Sequence, residues 1–348
     1  MSASVSTSAS VSVQPPASAL EDVRRLLGDD LAAVDQMIID QLKSDVLLVN
    51  QIGYYIVGSG GKRMRPLLSL LSANALGYSG QKHIQLATIV EFIHTATLLH
   101  DDVVDDSNLR RGRPTANAVF GNEASVLVGD FLYSRAFQLM VSVGDMRIMD
   151  IMADTTNVIA EGEVMQLINC NDPDTTEERY LEVIRSKTAK LFEAAARVGA
   201  VLSQAPTDIE DAIAAFGTHI GTAFQLVDDV LDYQGDPDAI GKSIGDDLAE
   251  GKPTLPLIHA MREGNADQAQ VIREAIEQGG RDRLEDVLDA VESTGAIAYT
   301  ARAAADEAKR ALKALERLPP SPYKDAMESM ASFSVKRAMI DSFCVKFR

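Results

Sequence analysis

From Leu20 to the C-terminus, apolar residues recur at helical spacing, and period-two runs of β-branched or aromatic residues are scarce. Ala, Leu, Glu and Met are plentiful, and they give up little side-chain freedom in a helix. A chain patterned this way has almost nothing from which to build a sheet, so the expected fold class is all-α. Breaks at Gly58 to Gly61, Gly77 to Gly80, Gly112 to Pro114, Asn171 to Asp174, Gly235 to Pro237, Gly251 to Pro253 and Pro319 to Pro322 delimit about ten helices. The stretches 81–106, 145–170, 175–203 and 207–234 are long enough to cross a whole domain. Asp174-Thr175-Thr176-Glu177-Glu178 reads as an N-cap followed by an acidic first turn. With 348 residues and 46% hydrophobic content, residues 19–348 are expected to form one large helical domain.

Residues 1–18 are rich in Ser, Ala and Val and carry no charged side chain. They lack the basic start and continuous apolar run of a secretory signal, and the arginines of a transit peptide. A disordered tail is expected there. The formal net charge of −18 leaves no basic surplus for neutralising nucleic-acid phosphates. No uncharged apolar run approaches about 18 residues, so no transmembrane helix is expected. Cys170 and Cys344 show neither metal-ligand nor redox spacing, which fits a reducing cytoplasm.

Two acidic runs stand out against this background. Asp101-Asp102-Val103-Val104-Asp105-Asp106 and Asp228-Asp229-Val230-Leu231-Asp232 both follow the pattern D-D-x-x-D within helical sequence. Asp101 and Asp105, like Asp228 and Asp232, fall four residues apart and share a helix face. Like charges at that spacing cost an isolated helix about 0.2–0.5 kcal/mol per pair. A chain that accepts this twice is expected to neutralise it with cations. Oxygen ligands without His or Cys favour Mg²⁺, which binds through one or two carboxylates together with substrate phosphates. The expected substrate is therefore a diphosphate.

Basic groups surround these runs. Gly60-Gly61-Lys62-Arg63-Met64-Arg65-Pro66 feeds a helix N-terminus, a ready anion site, although a solvated basic turn would look the same. It is not a Walker loop, which needs G-x-x-x-x-G-K-[ST]. Arg110-Arg111-Gly112-Arg113 follows the first acidic run, as part either of a mixed metal and guanidinium site or of a surface ion-pair patch. His94 and His100 read equally as phosphate donors or as satisfied core histidines. Lys187-Thr188 lies in the middle of a long helix, where lysine is usually on the surface. Gln225 precedes Asp228 by one turn, and Gly241-Lys242-Ser243 and Gly251-Lys252-Pro253-Thr254 are lysine turns able to fold over a diphosphate.

As a set, these motifs resemble the trans-isoprenyl diphosphate synthases, or polyprenyl synthetases, and within them the long-chain, octaprenyl-type members. The resemblance runs in order over residues 20–340. It includes Phe92-Ile93-His94-Thr95-Ala96-Thr97-Leu98-Leu99-His100, Phe224-Gln225 and Gly251-Lys252-Pro253-Thr254-Leu255-Pro256. It implies an all-helical domain with a central cavity, usually in a homodimer, with possible peripheral membrane contact for product release. It also implies that Asp101, Asp102, Asp105, Asp228, Asp229 and Asp232 hold Mg²⁺ on an allylic diphosphate. Lys62, Arg65, His94 and Arg111 match the positions that hold isopentenyl diphosphate, and Arg110, Lys187, Thr188, Gln225 and Lys242 those around the allylic partner. The implied reaction is repeated head-to-tail condensation, with a respiratory quinone side chain as the destination of the product. A terpene cyclase would not need the Lys62, Arg65 and Arg111 set, and a non-catalytic subunit would not need both acidic motifs. The segment 235–254 is the natural lid.

Product length is expected to depend on Ala96 and Thr97, five and four residues before Asp101 and about one turn below the metal face. Shorter-chain relatives in the family place aromatic rings there. Two small residues imply an open path and a long product, with a floor deeper down, near Phe131, Phe137 and Met140. Close packing against a neighbouring helix would select small residues equally well.

Overall fold

A computed structural model of the protein describes residues 16–58, 60–110, 112–234, 244–279 and 281–344, with side chains described between 19 and 335. Seventeen α-helices follow one another over these residues, rather than about ten, because residues 16–57 divide into three helices and short helices form at 116–120 and 246–249, between the predicted breaks. They are α1 (Pro16–Leu26), α2 (Gly28–Gln41), α3 (Leu47–Val57), α4 (Met64–Ala75), α5 (Lys82–Val104), α6 (Ala116–Phe120), α7 (Asn122–Val143) and α8 (Met146–Asn169). There follow α9 (Glu177–Ile184), α10 (Lys190–Leu202), α11 (Thr207–Gln234), α12 (Asp246–Ala249), α13 (Leu255–Glu263), α14 (Ala266–Gln278), α15 (Leu284–Ser293), α16 (Ala296–Leu315) and α17 (Pro322–Cys344). Strand is confined to a two-residue ladder that pairs Leu109 with Pro114 and Arg110 with Arg113. The first helix begins at Pro16, inside the expected tail, and residues 1–15 lie outside the described residues.

The four long helices read from the sequence are present, with one change. The stretch 175–203 is not a single α-helix. Thr176 caps α9 by accepting from Arg179 N at 3.2 Å, with Glu177 and Glu178 in the first turn. Residues Arg185–Ala189 then widen into a π-helical turn, in which Lys190 N reaches back five residues to the carbonyl of Arg185. Such turns are rare and gather at functional sites.

Helix α11 is the spine. Its Ile213, Phe216 and Ile220 join a hydrophobic cluster with Leu67, Phe92 and Phe192. Its Leu226, Val227 and Val230 join a second cluster with Leu257, Ile276 and Val287. The π turn lies against this spine at Gly221 and against α8 at Gly162, and a third glycine, Gly217, seats the start of α10 on the same spine. A Cβ on Gly162 of α8 would lie 2.6 Å from Lys187 N, one on Gly217 2.6 Å from Phe192 O, and one on Gly221 2.7 Å from Ala189 Cα. Backbone at these distances leaves no room for a side chain, so the turn is clamped on two sides.

Among the described residues, α7 alone is long and apolar enough to cross a membrane by length and composition. Its Leu132, Ala136, Leu139 and Met140 are instead buried in the first cluster, largely against α5.

Candidate active site

Both acidic motifs fall at helix C-termini, since α5 ends at Val104 and α11 at Gln234. Unpaired carbonyls give that end of a helix partial negative charge. Carboxylates placed there call for cations, and the protein's own lysines supply two. Lys187 Nζ lies 3.7 Å from Asp101 and 2.6 Å from Glu163. Lys252 Nζ lies 3.0 Å from Asp105 and 2.5 Å from Glu250. Burial raises the Asp101 carboxyl above the ordinary range, and Lys187 only partly restrains it. Burial, reinforced by Asp101, pushes Glu163 up to about 7. Burial pulls the Lys252 ammonium down, but Asp105 and Glu250 outweigh it and hold its pKa above the ordinary lysine value.

The second and third aspartates of each motif are engaged differently. Asp102 is fully buried, and its Oδ1 accepts from Arg110 Nε at 2.7 Å. Asp229 is buried too. It accepts from the Tyr180 hydroxyl and from Gln225 Nε2, the latter at 2.9 Å. Burial, together with Asp247, pushes its carboxyl up to about 7. Asp232 accepts from Asp246 N at 3.2 Å and from Asp247 N at 3.3 Å, so it caps α12. Among the described residues, no group of three or more His, Cys, Asp or Glu side chains converges as a complete metal cage. Carboxylate pairs that leave coordination positions open suit Mg²⁺, which is commonly completed by water and substrate phosphate. The ammonium groups beside Asp101 and Asp105 already mark where positive charge is accommodated, so the donor set fits a hard divalent cation.

The cationic turn is built by left-handed backbone. Gly60 (φ 75°), Gly61 (φ 151°) and Arg63 (φ 53°) fold it onto the start of α4. Arg63 points away into an ion pair with Glu91 at 2.7 Å. Arg65 turns inward, 4.4 Å from the Phe192 ring centroid, with Nη1 3.2 Å from His94 Nε2. Its Nε finds no hydrogen-bond partner among the described residues. Burial pushes this guanidinium down to about 10, against the opposing pull of Glu91, Asp228 and Asp101. One arginine therefore feels the leading aspartate of both motifs, which places the two acidic helix ends and the basic turn around a common space. Lys62 Nζ lies 5.8 Å from the ring centroids of Phe224 and Phe333. A small cleft lined by Gly60, Glu91, His94, Thr95 and Arg110 lies between the turn and the arginine that holds Asp102.

Lys187 and Thr188 come to the site through the π turn. The Lys187 side chain is only 18% exposed, so the surface position usual for a mid-helix lysine does not apply. Thr188 Oγ1 donates to Gln225 Oε1 at 3.1 Å. His100 belongs to the scaffold, with Nε2 3.2 Å from Val126 O and 3.3 Å from Asp130 on α7. Ala96 is fully buried; Thr97 is half-buried, and its hydroxyl donates back to His94 O at 2.9 Å, leaving the methyl as its free surface. Arg111 and Lys242 lie outside the described residues, as does most of the expected lid, residues 235–243. Sequence reasoning missed Glu163 and Glu250, the partners of the two lysines, and Tyr180, the partner of Asp229. Their helical spacing is that of any solvated or core position, and only the π turn, which has no sequence signature here, brings Lys187 to Glu163.

The pattern of the family described as Polyprenyl synthetase matches residues 46–293. The chain is 54% identical to octaprenyl diphosphate synthase of Escherichia coli over 319 residues, covering 91% of this chain and 99% of that one. It is 55% identical to octaprenyl diphosphate synthase of Haemophilus influenzae over 319 residues, covering 91% and 97%. The crystal structure of polyprenyl synthase from Caulobacter crescentus, complexed with calcium and isoprenyl diphosphate, superposes with a TM-score of 0.88 at 41% identity, covering 91% of this chain and 97% of that one. On sequence and fold together, this chain belongs to the polyprenyl synthetase family.

Proposed function

We propose that this chain is a long-chain all-trans polyprenyl diphosphate synthase, which condenses isopentenyl diphosphate head-to-tail with an allylic diphosphate in repeated cycles and depends on Mg²⁺. The observation that carries this reading is the π turn, whose Lys187 lies 3.7 Å from Asp101 while its Thr188 reaches Asp229 through Gln225, so that both acidic motifs meet there beside the buried Arg65. Two acidic helix ends and one cationic turn make a pair of anion sites side by side. Two of the relatives named above, both octaprenyl diphosphate synthases, support the same chemistry.

Bound Mg²⁺ would be held by Asp101, Asp105 and Asp228, where it supplies Lewis-acid stabilisation of a departing diphosphate. Lys187 and Lys252 are already placed among these carboxylates and add positive charge where the leaving group becomes more negative. Lys62, Arg65 and His94 hold the diphosphate of the five-carbon partner so that its double bond faces the allylic carbon. Thr188 and Gln225, hydrogen-bonded to each other, present fixed dipoles to the carbon that turns positive. No side-chain nucleophile is required, since the allylic carbon is attacked by the double bond, and the released diphosphate takes the proton lost afterwards. Water must be kept out, because it would capture the cation as an alcohol.

The test is direct. Purified protein given isopentenyl diphosphate, farnesyl diphosphate and Mg²⁺ should yield long prenyl diphosphates, and excess chelator should stop it. Turnover that persists in chelator would exclude the metal-dependent reading. Lys62→Ala and Arg65→Ala should each raise KM for isopentenyl diphosphate about 10- to 100-fold, the loss of a charge-assisted contact of about 1.5–3 kcal/mol. If instead only KM for farnesyl diphosphate rises, the two pockets have been exchanged.

A homodimer is part of the proposal. Leu127 and Val141 on α7 and Val164, Leu167 and Ile168 on α8 are exposed, more apolar surface than a pair of neighbouring helices usually leaves to solvent. A monomer mass in solution would exclude it. A cytoplasmic setting agrees with the free thiol of Cys170.

A further inference from the structure

Thr188, Gln225, Asp229 and Tyr180 form one continuous hydrogen-bonded chain that runs from the π turn into the second hydrophobic cluster. Tyr180 is buried in that cluster, on α9, and its hydroxyl donates to Asp229 Oδ2. Burial and the neighbouring Asp229 hold this phenol protonated, well above its ordinary range. Gln225 Nε2 donates to the other carboxylate oxygen, Oδ1, at 2.9 Å. Both oxygens of Asp229 are thus occupied as acceptors. While Asp229 is ionised, a flip of the Gln225 amide would set its carbonyl against the carboxylate. With Nε2 committed, Oε1 is the atom that meets Thr188, whose Oγ1 donates to it at 3.1 Å. The chain has a single polarity. Every proton points towards Asp229, and the Thr188 hydroxyl is left with its lone pairs as its unengaged face.

We propose that Tyr180 is a positioning residue for prenyl transfer: acting through Asp229 and Gln225, it fixes the Thr188 hydroxyl so that lone pairs, and not a proton, face the allylic carbon as it becomes positive. This rests on the reading of Thr188 and Gln225 as groups facing the allylic substrate. Without the Tyr180 hydroxyl, Asp229 keeps one donor and can rotate, the Gln225 amide can turn over, and the Thr188 O–H can swing its positive end towards the cation. Tyr180 itself touches no reacting atom. A fixed dipole matters more in a dry site than in water, because nothing else screens the developing charge.

The experiment is a double-mutant cycle with farnesyl diphosphate as primer, read as kcat and KM for the first condensation, with melting curves to verify the fold. Tyr180→Phe keeps the buried ring and should lower kcat about tenfold, the loss of one hydrogen bond to a charged group. KM for both diphosphates should stay within about twofold of wild type, since ground-state binding is untouched. Thr188→Val, which removes only the hydroxyl, should itself be slow. On that background Tyr180→Phe should change kcat by less than about twofold, because the residue it acts through has gone. Tyr180→Met carries the same expectation should the phenylalanine variant fail to fold. A wild-type kcat for Tyr180→Phe, or a tenfold loss that persists on the Thr188→Val background, would overturn the proposal. A wild-type rate for Thr188→Val alone would overturn the reading of Thr188 on which it rests.

Discussion

Asp101→Ala is expected to lower turnover about 100- to 1000-fold, the scale seen when one group stabilising a developing charge is removed. The fold should survive. Burial holds the Asp101 carboxyl above its ordinary pKa. A carboxyl raised on folding binds protons more tightly in the native state, so its ionisation disfavours the fold at every pH above its unfolded value. Removing it relieves that burden at neutral pH, and Lys187 keeps Glu163 as partner. The metal-free variant should melt at or above the wild-type temperature. Asp102→Ala, one residue on, should do the opposite. It strands Arg110 without the carboxylate 2.7 Å away and should cost up to about 3 kcal/mol, the lower end for a broken buried pair because Arg110 is 23% exposed. Steady-state rates and thermal melts on the two variants separate the roles. Near-wild-type turnover in Asp101→Ala would make the first motif a structural feature and remove the cation reading of α5.

Product length carries the second large effect. Ala96→Tyr should shorten the product by several five-carbon units while the first condensation proceeds at close to the wild-type rate. The argument is steric. A growing chain held at its diphosphate end by the C-terminal turn of α5 must extend past the turn below it. There Thr97 is half-buried and spends its hydroxyl on His94 O, while Ala96 is fully buried among its neighbours. A phenol ring at Ala96 cannot fit this packing and would be pushed into the space proposed for the tail. Thr97→Phe should act in the same direction with less strain, since Thr97 is only half-buried. Chromatography of products from the wild type and the two variants decides it. An unchanged length distribution in both would move the limit on chain growth away from α5.

How much of this was legible before the structure depends on which force sets each feature. The long helices α5, α8 and α11 could be read because amphipathic spacing and good helix formers act locally and agree with each other. The acidic motifs could be read because like charges four residues apart are unfavourable without a purpose. The division of labour within each motif could not. Asp102 and Asp229 differ from Asp101 and Asp228 in the direction they face, and what meets them there, Arg110 from the turn just after α5 and Tyr180 from 49 residues upstream, appears only in the folded chain. The π turn was equally hidden. Arg185-Ser186-Lys187-Thr188-Ala189 has ordinary helix propensity, and the wider turn is set by tertiary packing against Gly162 and Gly221. Lys252 was visible as a turn lysine, but its bridge between Asp105 and Glu250 exists only once α5 and the segment after α12 are folded together.

Those glycines alter where harmful variation should appear in a random mutagenesis screen. Gly162, Gly217 and Gly221 contact no substrate in this reading, yet the first added methyl group at any of them would meet backbone within 2.7 Å. For Gly162 and Gly221 that backbone is the π turn, with Lys187 and Thr188 at its centre, and for Gly217 it is the start of α10 just beyond. Substitutions on α8 and on the middle of α11 would then register as chemical defects in a protein that still folds, and sorting variants by distance from the diphosphates would misfile them. The tolerance of this enzyme to change follows the thickness of its helix contacts more closely than proximity to the reaction.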